Sequence, residues 1–291
     1  HIHMILEGKT LAAALRAPLA GRAAVAREKL GRPISLFAIG SSEDYGAYVY
    51  LKKEVQAAQT LGVCAQLHCV DSHTRAEDFI AHIQQASADK SIDAILVARP
   101  LPDALAGSGF ERFIAPEKDI DGMSPVSVGN LFSCKTWAEV QALPTFVPCT
   151  ALAVIRLLDA HGIDPQGMEA AVIGRSSTVG RPLAHLLSCR NATVKVCHTF
   201  TRDLARALQK EELICSAAGQ AGLLNTSNVP AGSTVIDIAT NLDTQDRLCG
   251  DADTQALLQA GCRISPVPGG VGPVTLACLL ENIILSGERK I

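Results

Sequence analysis

The sequence predicts an α/β protein with two domains, each built on a mostly parallel sheet. The first observation is an alternation of short apolar β runs with helical patterns along almost the whole chain, which is typical of βαβ units. The second is size: 291 residues, 48% of them hydrophobic, exceed one average domain and can bury a large core. The third is a glycine-containing turn, "VIGRSSTVGRP" at residues 172–182, which follows one predicted strand and opens a helix.

The first βα series is predicted from the N-terminal half of the chain. A helical stretch at residues 11–30 leads to a strand at 34–40, a helix at 43–60, a strand at 64–70 and a helix at 76–86. The run from Ala94 to Ala98 is a short buried strand, which Pro100 and Pro102 end. Residues 116–146 show little periodicity and are predicted to connect the domains, followed by a long helix from Thr150.

A second series follows, with strands predicted at residues 169–174, 192–199, 212–218 and 233–239 and a helix from Thr178. The C-terminal pattern at 272–287 is a strong helix, expected to pack back on the first domain. The predicted domains are residues 4–147 together with 273–291, and residues 148–272.

Composition narrows the functional classes. A net charge of −3 gives no support to a nucleic acid or anionic membrane partner. The ten cysteines show no CxxC pair and no zinc spacing, so a reducing cytoplasm without structural disulfides or metal is expected. No apolar stretch is expected to be long enough to span a membrane. The first four residues, "HIHM", resemble an expression-tag remnant, so Met4 is the expected native start.

The glycine turn predicts nucleotide binding. Gly174 and Gly180 let the backbone approach a pyrophosphate at a helix N-terminus, although the full GxGxxG pattern is missing. The next strand ends at His198, Thr199 and Thr201, without the carboxylate that would bind a ribose 2′-hydroxyl. Arg175 supplies a positive charge for a 2′-phosphate, so NADP is favoured over NAD; the alternative is that Arg175 only faces solvent.

Three features point to a second site. Tyr48 and Lys52 are four residues apart and share a helix face, although such pairs are usually surface groups. Asp119 and Asp121 precede Gly122, which also fits a helix stop and an Asp-Gly turn. The stretch "SPVPGGVGPVT" at residues 265–275 forms a stiff loop with few side chains, suited to backbone contact with a flat ligand.

Taken together, these stretches resemble the bifunctional methylenetetrahydrofolate dehydrogenase/methenyltetrahydrofolate cyclohydrolase family. The resemblance runs over nearly the whole chain, and its most specific motif is the last one. In chain order the matching stretches are "YVYLK", "ILVARPLP", "PEKDIDG", "VPCT", "VIGRSSTVGRP", "ATVKVCHT", "VIDIATN", "GD" at Gly250 and Asp251, and "PVPGGVGPVT".

The resemblance implies a homodimer whose subunits each carry a catalytic βαβ domain and a Rossmann-like NADP-binding domain, with folate in the cleft between the domains. It also implies a two-step reaction in one-carbon metabolism. NADP⁺ takes a hydride from 5,10-methylenetetrahydrofolate, and water then attacks the methenyl cation to give 10-formyltetrahydrofolate. The hydrolysis needs proton transfers, to which a desolvated lysine is suited.

The resemblance also assigns roles to residues of this chain. Lys52 matches the catalytic lysine, Tyr48 the tyrosine that stacks on the folate aminobenzoyl ring, and Asp121 the carboxylate that binds the pterin. Further folate-site residues are Val97, Pro268, Gly269, Gly270 and Thr275. The expected NADP-site residues are Gly174, Arg175, Ser176, Val179, Gly180, His198, Thr199 and Ala239.

The chain departs from the family pattern at a few positions. Ala98 stands where the family has a glutamine that is hydrogen-bonded to the catalytic lysine, and Arg99 cannot replace it because adjacent strand side chains point to opposite faces. Ala151 replaces a proline after "PCT", and Ala239 replaces a glycine near the expected nicotinamide. The change at position 98 generates the hypothesis that hydride transfer survives while the cyclohydrolase step is impaired, whereas the added methyl of Ala239 bears on the dehydrogenase step itself.

Two other hypotheses stay open on sequence alone. A non-catalytic or regulatory folate-binding relative would keep the cleft and lose turnover, and the substitutions at Ala98, Arg99 and Ala239 are its support. A changed substrate would use Arg99 to meet an added acidic group.

Overall fold

The computed structural model describes residues 4–291, which form two compact units. The three-stranded unit comprises residues 14–131, 143–147 and 279–291. The five-stranded unit comprises residues 4–13, 132–142 and 148–278. Both sheets are parallel throughout, as the βαβ pattern predicts.

The three-stranded unit is organised around β1 (Ser35–Ser41), which lies between β2 (Cys64–Val70) and β3 (Ala94–Val97). Residues 36–41 of β1 are all buried, as expected for a central strand covered on both faces. The core on one side of this sheet contains Phe79, Phe110 and Ile83. The main helices are α2 (Leu19–Leu30), α3 (Tyr45–Thr60) and α4 (Ala76–Ala88).

The single helix predicted over residues 11–30 is wrong. The chain forms α1 (Lys9–Arg16) and then α2, with Pro18 at the N-terminal boundary of α2. Proline has no N–H for a helical hydrogen bond, and its ring clashes with the preceding turn, so the break occurs there.

The connecting region predicted at residues 116–146 also contains regular structure. It holds a 3₁₀ turn at Pro116–Lys118, α6 (Pro125–Ser133) and α7 (Trp137–Gln141), and just before it lie α5 (Asp103–Ala106) and a 3₁₀ turn at Phe110–Phe113. Helix α7 begins with a capping box, in which Thr136 and Glu139 satisfy each other's backbone N–H groups. These helices are too short to produce a clear periodic pattern.

A set of buried polar contacts fixes the turn that carries Asp121. Lys118 is 4% exposed, and its ammonium donates to three carbonyls at the C-terminus of α4, those of Ala86, Ser87 and Asp89. The buried Asp119 carboxylate accepts the backbone N–H groups of Met123 and Ser124 at 2.9 and 2.7 Å. The Asn282 side chain donates to the Ile120 carbonyl at 2.9 Å.

The sheet of the five-stranded unit has the order β10-β7-β6-β4-β5. Its strands are β4 (Glu169–Ile173), β5 (Thr193–Cys197), β6 (Leu213–Ser216), β7 (Thr234–Asp237) and β10 (Arg263–Ile264). From β4 the chain goes first to one neighbour, β5, and then to the other, β6. The order therefore reverses beside β4, the place where open α/β sheets bind ligands at the carboxyl ends of their strands.

Helices α8 (Cys149–Ala160) and α9 (Gly180–Cys189) follow the predicted patterns. Five short elements after β5 were not predicted, because none is long enough to show a period: α10 (Leu204–Leu208), the hairpin β8 (Asn241–Leu242) with β9 (Leu248–Cys249), α11 (Thr254–Gln259) and β10.

The compact units differ from the predicted domains near the N-terminus. Residues 4–13 cluster with the five-stranded unit, because Leu6 N–H donates to Ile264 and Gly8 N–H donates to Gly269, each at 2.8 Å. Residues 132–142 also cluster there, although the prediction placed them in the first domain.

Helix α12 (Val271–Glu288) ends the chain, and residues from 279 onward belong to the three-stranded unit, in agreement with the predicted return of this helix. Its end is fixed there by an ion pair between Arg22 and Glu288 at 2.6 Å. Contrary to the sequence prediction, α12 is long and apolar enough to span a membrane, but 61% of it is buried, as in a core helix.

Candidate active site

Helix α3 presents the Tyr48–Lys52 pair. Asp44 caps its N-terminus by accepting the Ala47 N–H at 2.9 Å. One turn of helix separates the two side chains, and the Lys52 ammonium lies 4.6 Å from the centre of the Tyr48 ring, a cation–π distance. Within its unit Lys52 is exposed and Tyr48 is half-buried.

The hydroxyl of Tyr48 contacts strand β2. The Cys69 thiol donates to it at 3.4 Å, and this interaction with the thiol raises the pKa of Tyr48. The ring is therefore held between a cation at its face and a thiol at its hydroxyl.

The side chains of Ala98 and Arg99, directly after β3, point to opposite sides, as the alternation of side chains along a strand predicts. A Cβ built on Gly40 of β1 would lie 3.1 Å from the Ala98 methyl and 2.6 Å from the Leu51 side chain of α3. Arg99 points elsewhere: its guanidinium bonds Glu111 at 3.0 Å and lies 5.7 Å from the Phe110 ring centre. Val97, the residue before them, is buried in the core.

The two aspartates of "PEKDIDG" have separate roles. Asp119 is fully used by backbone N–H groups and is structural. Asp121 is half-buried and close enough to Glu54 of α3 for its charge to act on that carboxyl. Burial first, and the charge of Asp121 second, raise the pKa of Glu54 to about 8.

Glu54 was missed in the sequence analysis, although a signal existed. It is separated by three or four residues from the buried Leu51 and Ala58, and a charged residue at an apolar position of an amphipathic helix marks a special environment.

The five-stranded unit carries the glycine turn between β4 and α9. Gly174 has φ +110°, and a Cβ at this residue would lie 2.7 Å from the Ala217 carbonyl oxygen. A Cβ on Gly180 would lie 2.1 Å from the Gly174 carbonyl oxygen. Both positions therefore require glycine, and the backbone stays open at the start of α9. The Ser176 hydroxyl accepts the N–H groups of Val179 and Gly180.

The end of β5 lies beside this turn. Arg175 is exposed, with its guanidinium 5.8 Å from the Phe200 ring centre. The His198 imidazole Nδ1 accepts the Phe200 N–H at 3.2 Å, and the His198 N–H donates to the Thr201 hydroxyl at 2.9 Å. Thr199 is exposed. The turn, the cation and the hydroxyl-rich strand end fit a phosphorylated dinucleotide.

Two buried carboxylates brace the carboxyl edge of this sheet. Asp251 accepts four hydrogen bonds, from the Ser216 hydroxyl, the Ala218 and Gln220 N–H groups and the Asn241 amide. Asp237 accepts the N–H groups of Asp251 and Ala252. Ala239, two residues after Asp237, is 8% exposed. Burial raises the pKa of Asp237 to about 6, although its backbone hydrogen bonds act in the opposite direction.

The loop at residues 265–275 leads into α12. Gly269 has φ +99°, and a Cβ on Gly270 would lie 2.5 Å from the Pro266 carbonyl oxygen, so these positions also require glycine. Pro268 is exposed, and the Thr275 hydroxyl donates to the Val271 carbonyl within the helix. The Lys9 side chain passes close to Gly269, a neighbour that was missed because 260 residues of chain separate the two.

Among residues 4–291, no group of three or more His, Cys, Asp and Glu side chains is arranged to hold a metal ion.

The parallel five-stranded sheet and its glycine turn define an NAD(P)-binding α/β protein, with a separate unit that presents lysine, tyrosine and acidic side chains. Comparison with known families is more specific. Residues 6–121 match the catalytic domain of tetrahydrofolate dehydrogenase/cyclohydrolase, and residues 148–291 match its NAD(P)-binding domain. The chain belongs to the tetrahydrofolate dehydrogenase/cyclohydrolase family, which is a family of enzymes.

Individual relatives agree over the full length. The bifunctional protein FolD of Elusimicrobium minutum is 49% identical over 288 residues, 99% of this chain and 100% of the relative. The crystal structure of FolD from Campylobacter jejuni has a TM-score of 0.90 at 33% identity and covers 99% of both chains. The Trypanosoma brucei FolD structure, complexed with NADP cofactor and inhibitor, has a TM-score of 0.88 at 31% identity and covers 98% of this chain and 97% of its own.

The raised pKa of Asp237 predicts a pH dependence of stability. Its pKa is about 6 in the folded protein against an ordinary 3.8, so the native state holds this proton more tightly than the unfolded chain. The stabilisation from this group is full below pH 3.8 and is lost as the pH rises to 6, at about 1.4 kcal/mol per pH unit. Urea unfolding of the wild type and Asp237→Asn should therefore show a difference in unfolding free energy that shrinks between pH 4.5 and 6.

The exposed Asp246 provides the control, since Asp246→Asn lies in the same region and should keep a constant difference from the wild type. A constant difference for Asp237→Asn as well would contradict the prediction.

Proposed function

We propose that this protein catalyses NADP-dependent oxidation of 5,10-methylenetetrahydrofolate to 5,10-methenyltetrahydrofolate in one-carbon metabolism, with a weakened cyclohydrolase step. The observation that carries the proposal is the Tyr48–Lys52 pair, held at 4.6 Å on a capped helix in the part of the chain that matches the family's catalytic domain. In this proposal, residues 4–147 with 273–291 carry the folate chemistry, and residues 148–272 bind the cofactor.

Each folate-site residue has a chemical task. Asp121 accepts two N–H bonds from the amino-pyrimidinone edge of the pterin, as a carboxylate does in a fork geometry. Tyr48 offers its ring face to the aminobenzoyl group, and Lys52 moves protons during hydrolysis. Val97, Pro268, Gly269, Gly270 and Thr275 complete the proposed folate contacts.

The cofactor residues favour NADP. Bound NADP⁺ supplies the hydride acceptor. Gly174, Ser176, Val179 and Gly180 form the open turn for the pyrophosphate, and Ala239 lies in the segment proposed to approach the nicotinamide. Arg175 provides a positive charge that is free to turn toward a 2′-phosphate, while His198 and Thr199 place no carboxylate against it.

Arg175 should therefore decide cofactor choice. Arg175→Ala is expected to raise the KM for NADP⁺ at least tenfold, because a charge-assisted contact is lost, and to change the KM for NAD⁺ less than threefold. The measurement is steady-state NADPH and NADH formation from 5,10-methylenetetrahydrofolate. Arg206→Ala, on exposed α10, is the control. Equal losses with both cofactors in Arg175→Ala would argue against a 2′-phosphate contact.

The weakened cyclohydrolase step rests on Ala98. The methyl group has no hydrogen-bonding atom, and Arg99 is engaged with Glu111, so neither residue supplies the amide that the family places beside the lysine. Loss of one proton-relay or positioning partner commonly slows such steps about a hundredfold. Because the Arg99 guanidinium already has an acidic partner, the hypothesis of a substrate with an added acid loses support.

The substitution Ala98→Gln, which supplies an amide at position 98, tests whether Ala98 weakens the cyclohydrolase step. Wild-type enzyme should form NADPH while the methenyl chromophore accumulates, and Ala98→Gln should speed its hydrolysis at least tenfold. Arg99→Leu alone should leave hydrolysis within threefold of the wild type, because this side chain points to the 3₁₀ turn at Phe110–Phe113. Unchanged hydrolysis in Ala98→Gln, alone and combined with Arg99→Leu, would show that the departure is neutral. Folate binding with no NADPH at all would favour the non-catalytic relative.

The protein is further proposed to be a cytoplasmic homodimer. Ten free thiols suit a reducing compartment. Strand β5 lies at a sheet edge with Val196 exposed, and Phe200 and Leu242 are 79% and 64% exposed, so the five-stranded unit offers apolar surface to a second copy.

Size-exclusion chromatography with light scattering should give about twice the 30.6 kDa chain mass. Val196→Lys should shift the mass toward the monomer, whereas Val126→Lys, on exposed α6, should not. A monomeric wild type at micromolar concentration would refute the dimer.

A further inference from the structure

Helix α3 carries one ionisable side chain on its buried face. Leu51, Val55 and Ala58 are the other buried residues of this helix, and Glu54 lies among them with 9% of its surface exposed. Within residues 4–291 its carboxyl makes no hydrogen bond; the group that acts on it is Asp121. A carboxyl that is nine-tenths buried without a hydrogen-bond partner costs free energy, and such groups are typical of functional sites.

The neighbours of Glu54 keep it in the neutral form. Strand β1 contributes no ionisable side chain, and Ala98 after β3 contributes none. On β2, the His68 ring lies tilted against the Phe37 ring with their centres 4.6 Å apart, and the Cys69 thiol donates to the Tyr48 hydroxyl. Lys52 and Lys53 lie on the exposed part of α3. Burial is thus the main reason that the Glu54 carboxyl stays neutral, and the charge of Asp121 acts in the same direction.

The proton belongs on Glu54, because it is the more buried of the two. Its pKa of about 8 makes it a neutral acid at pH 7. The pair therefore presents two kinds of hydrogen-bonding group: Asp121 accepts, and Glu54 donates through its O–H.

We propose that Glu54 is a specificity-determining residue of the folate site, donating a hydrogen bond to the 4-oxo group of the pterin while Asp121 accepts from its 2-amino and N3–H groups. This rests on the proposed function, because it places the pterin at Asp121. The amino-pyrimidinone edge presents two donors followed by one acceptor, and an ionised carboxyl beside a neutral one provides the complementary set. A buried site of this kind rejects a ligand that leaves its hydrogen-bonding groups unpaired.

A change at the 4-position of the ligand tests the donor when variants are compared, because exchange of the 4-oxo for a 4-amino group also removes the N3–H, and that second loss is common to the wild type and the Glu54 variants. Tetrahydrofolate carries the 4-oxo acceptor, and its 4-amino analogue carries a donor in the same place. Calorimetry under anaerobic conditions at pH 7 should show that the wild-type enzyme binds tetrahydrofolate at least tenfold more tightly than the analogue. At pH 9 Glu54 is ionised and becomes an acceptor, so this preference should fall at least threefold from its value at pH 7.

Two variants separate the donor from the bulk of the side chain. Glu54→Gln keeps the shape of the side chain and can turn its amide to donate or accept, so it should bind tetrahydrofolate within threefold of the wild type. It should lose most of the preference for tetrahydrofolate over the 4-amino analogue, and the remaining preference should be the same at pH 7 and pH 9. Glu54→Met should lose about tenfold in tetrahydrofolate affinity. Glu117→Gln, an exposed residue before the same turn, is the control and should behave as the wild type.

The outcomes are distinguishable. If wild-type enzyme binds tetrahydrofolate and forms NADPH, but Glu54→Gln keeps the wild-type preference and its pH dependence, Glu54 is only structural and the inference fails alone. If Glu54→Met does not fold, the comparison of Glu54→Gln with the wild type at the two pH values still decides. If the wild-type enzyme neither binds tetrahydrofolate nor forms NADPH, the proposed function fails and the inference fails with it.

Discussion

The carboxyl edge of the five-stranded sheet depends on one buried carboxylate, that of Asp251. Its four hydrogen bonds join the segment after β6 to Asn241, and its own N–H is bonded to Asp237 at the end of β7. Loops at the carboxyl ends of parallel strands carry the ligand contacts of such folds, and they are useful only when they are held in place. A charged acceptor that binds several N–H groups supplies that rigidity without covering the edge with side chains.

Space as well as charge is restricted at this edge. Gly250 is tied to the same network, because a Cβ there would lie 2.0 Å from the Asp237 carboxylate. At Gly174 and Gly180 an added Cβ would collide with a backbone carbonyl oxygen, and at Gly250 it would collide with the Asp237 carboxylate. The backbone at all three glycines therefore lies in close contact with these groups. The glycines of the sequence motifs are thus explained by close packing around the cofactor turn. Their presence is what made the motifs recognisable in a single sequence.

The sequence predicts the repeating part of the fold well, because buried parallel strands and long helices have strong patterns. Strand β2 falls on the predicted residues 64–70, and α3 starts within two residues of the prediction. Elements of four to nine residues, such as α5 and α6, escaped because they contain too few turns for a period to show. The break at Pro18 was predictable in principle, since proline cannot continue a helix.

In the candidate site, too, the contacts within one motif were predictable and the contacts between distant motifs were not. Residues within one motif, such as Tyr48 and Lys52, were predicted to be neighbours because four residues make one helical turn, and the structure places them together. Contacts between motifs were beyond the sequence: the partner of Arg99 is Glu111, across a proline turn, and the neighbour of Asp121 is Glu54, 67 residues earlier in the chain.

Charge in the three-stranded unit is arranged by exposure. Lys52 is exposed, Asp121 is half-buried, and Glu54 is buried, with burial holding its carboxyl in the neutral form. This gradient lets one helix and one turn offer a cation, an anion and a neutral donor without a buried ion pair, whose desolvation would offset much of its attraction. In the proposed function, the methyl group at position 98 withholds an amide partner from Lys52 only. Proposed pterin binding at Asp121 and proposed hydrolysis at Lys52 use different groups, so a change beside the lysine gives no physical reason for pterin binding to be lost.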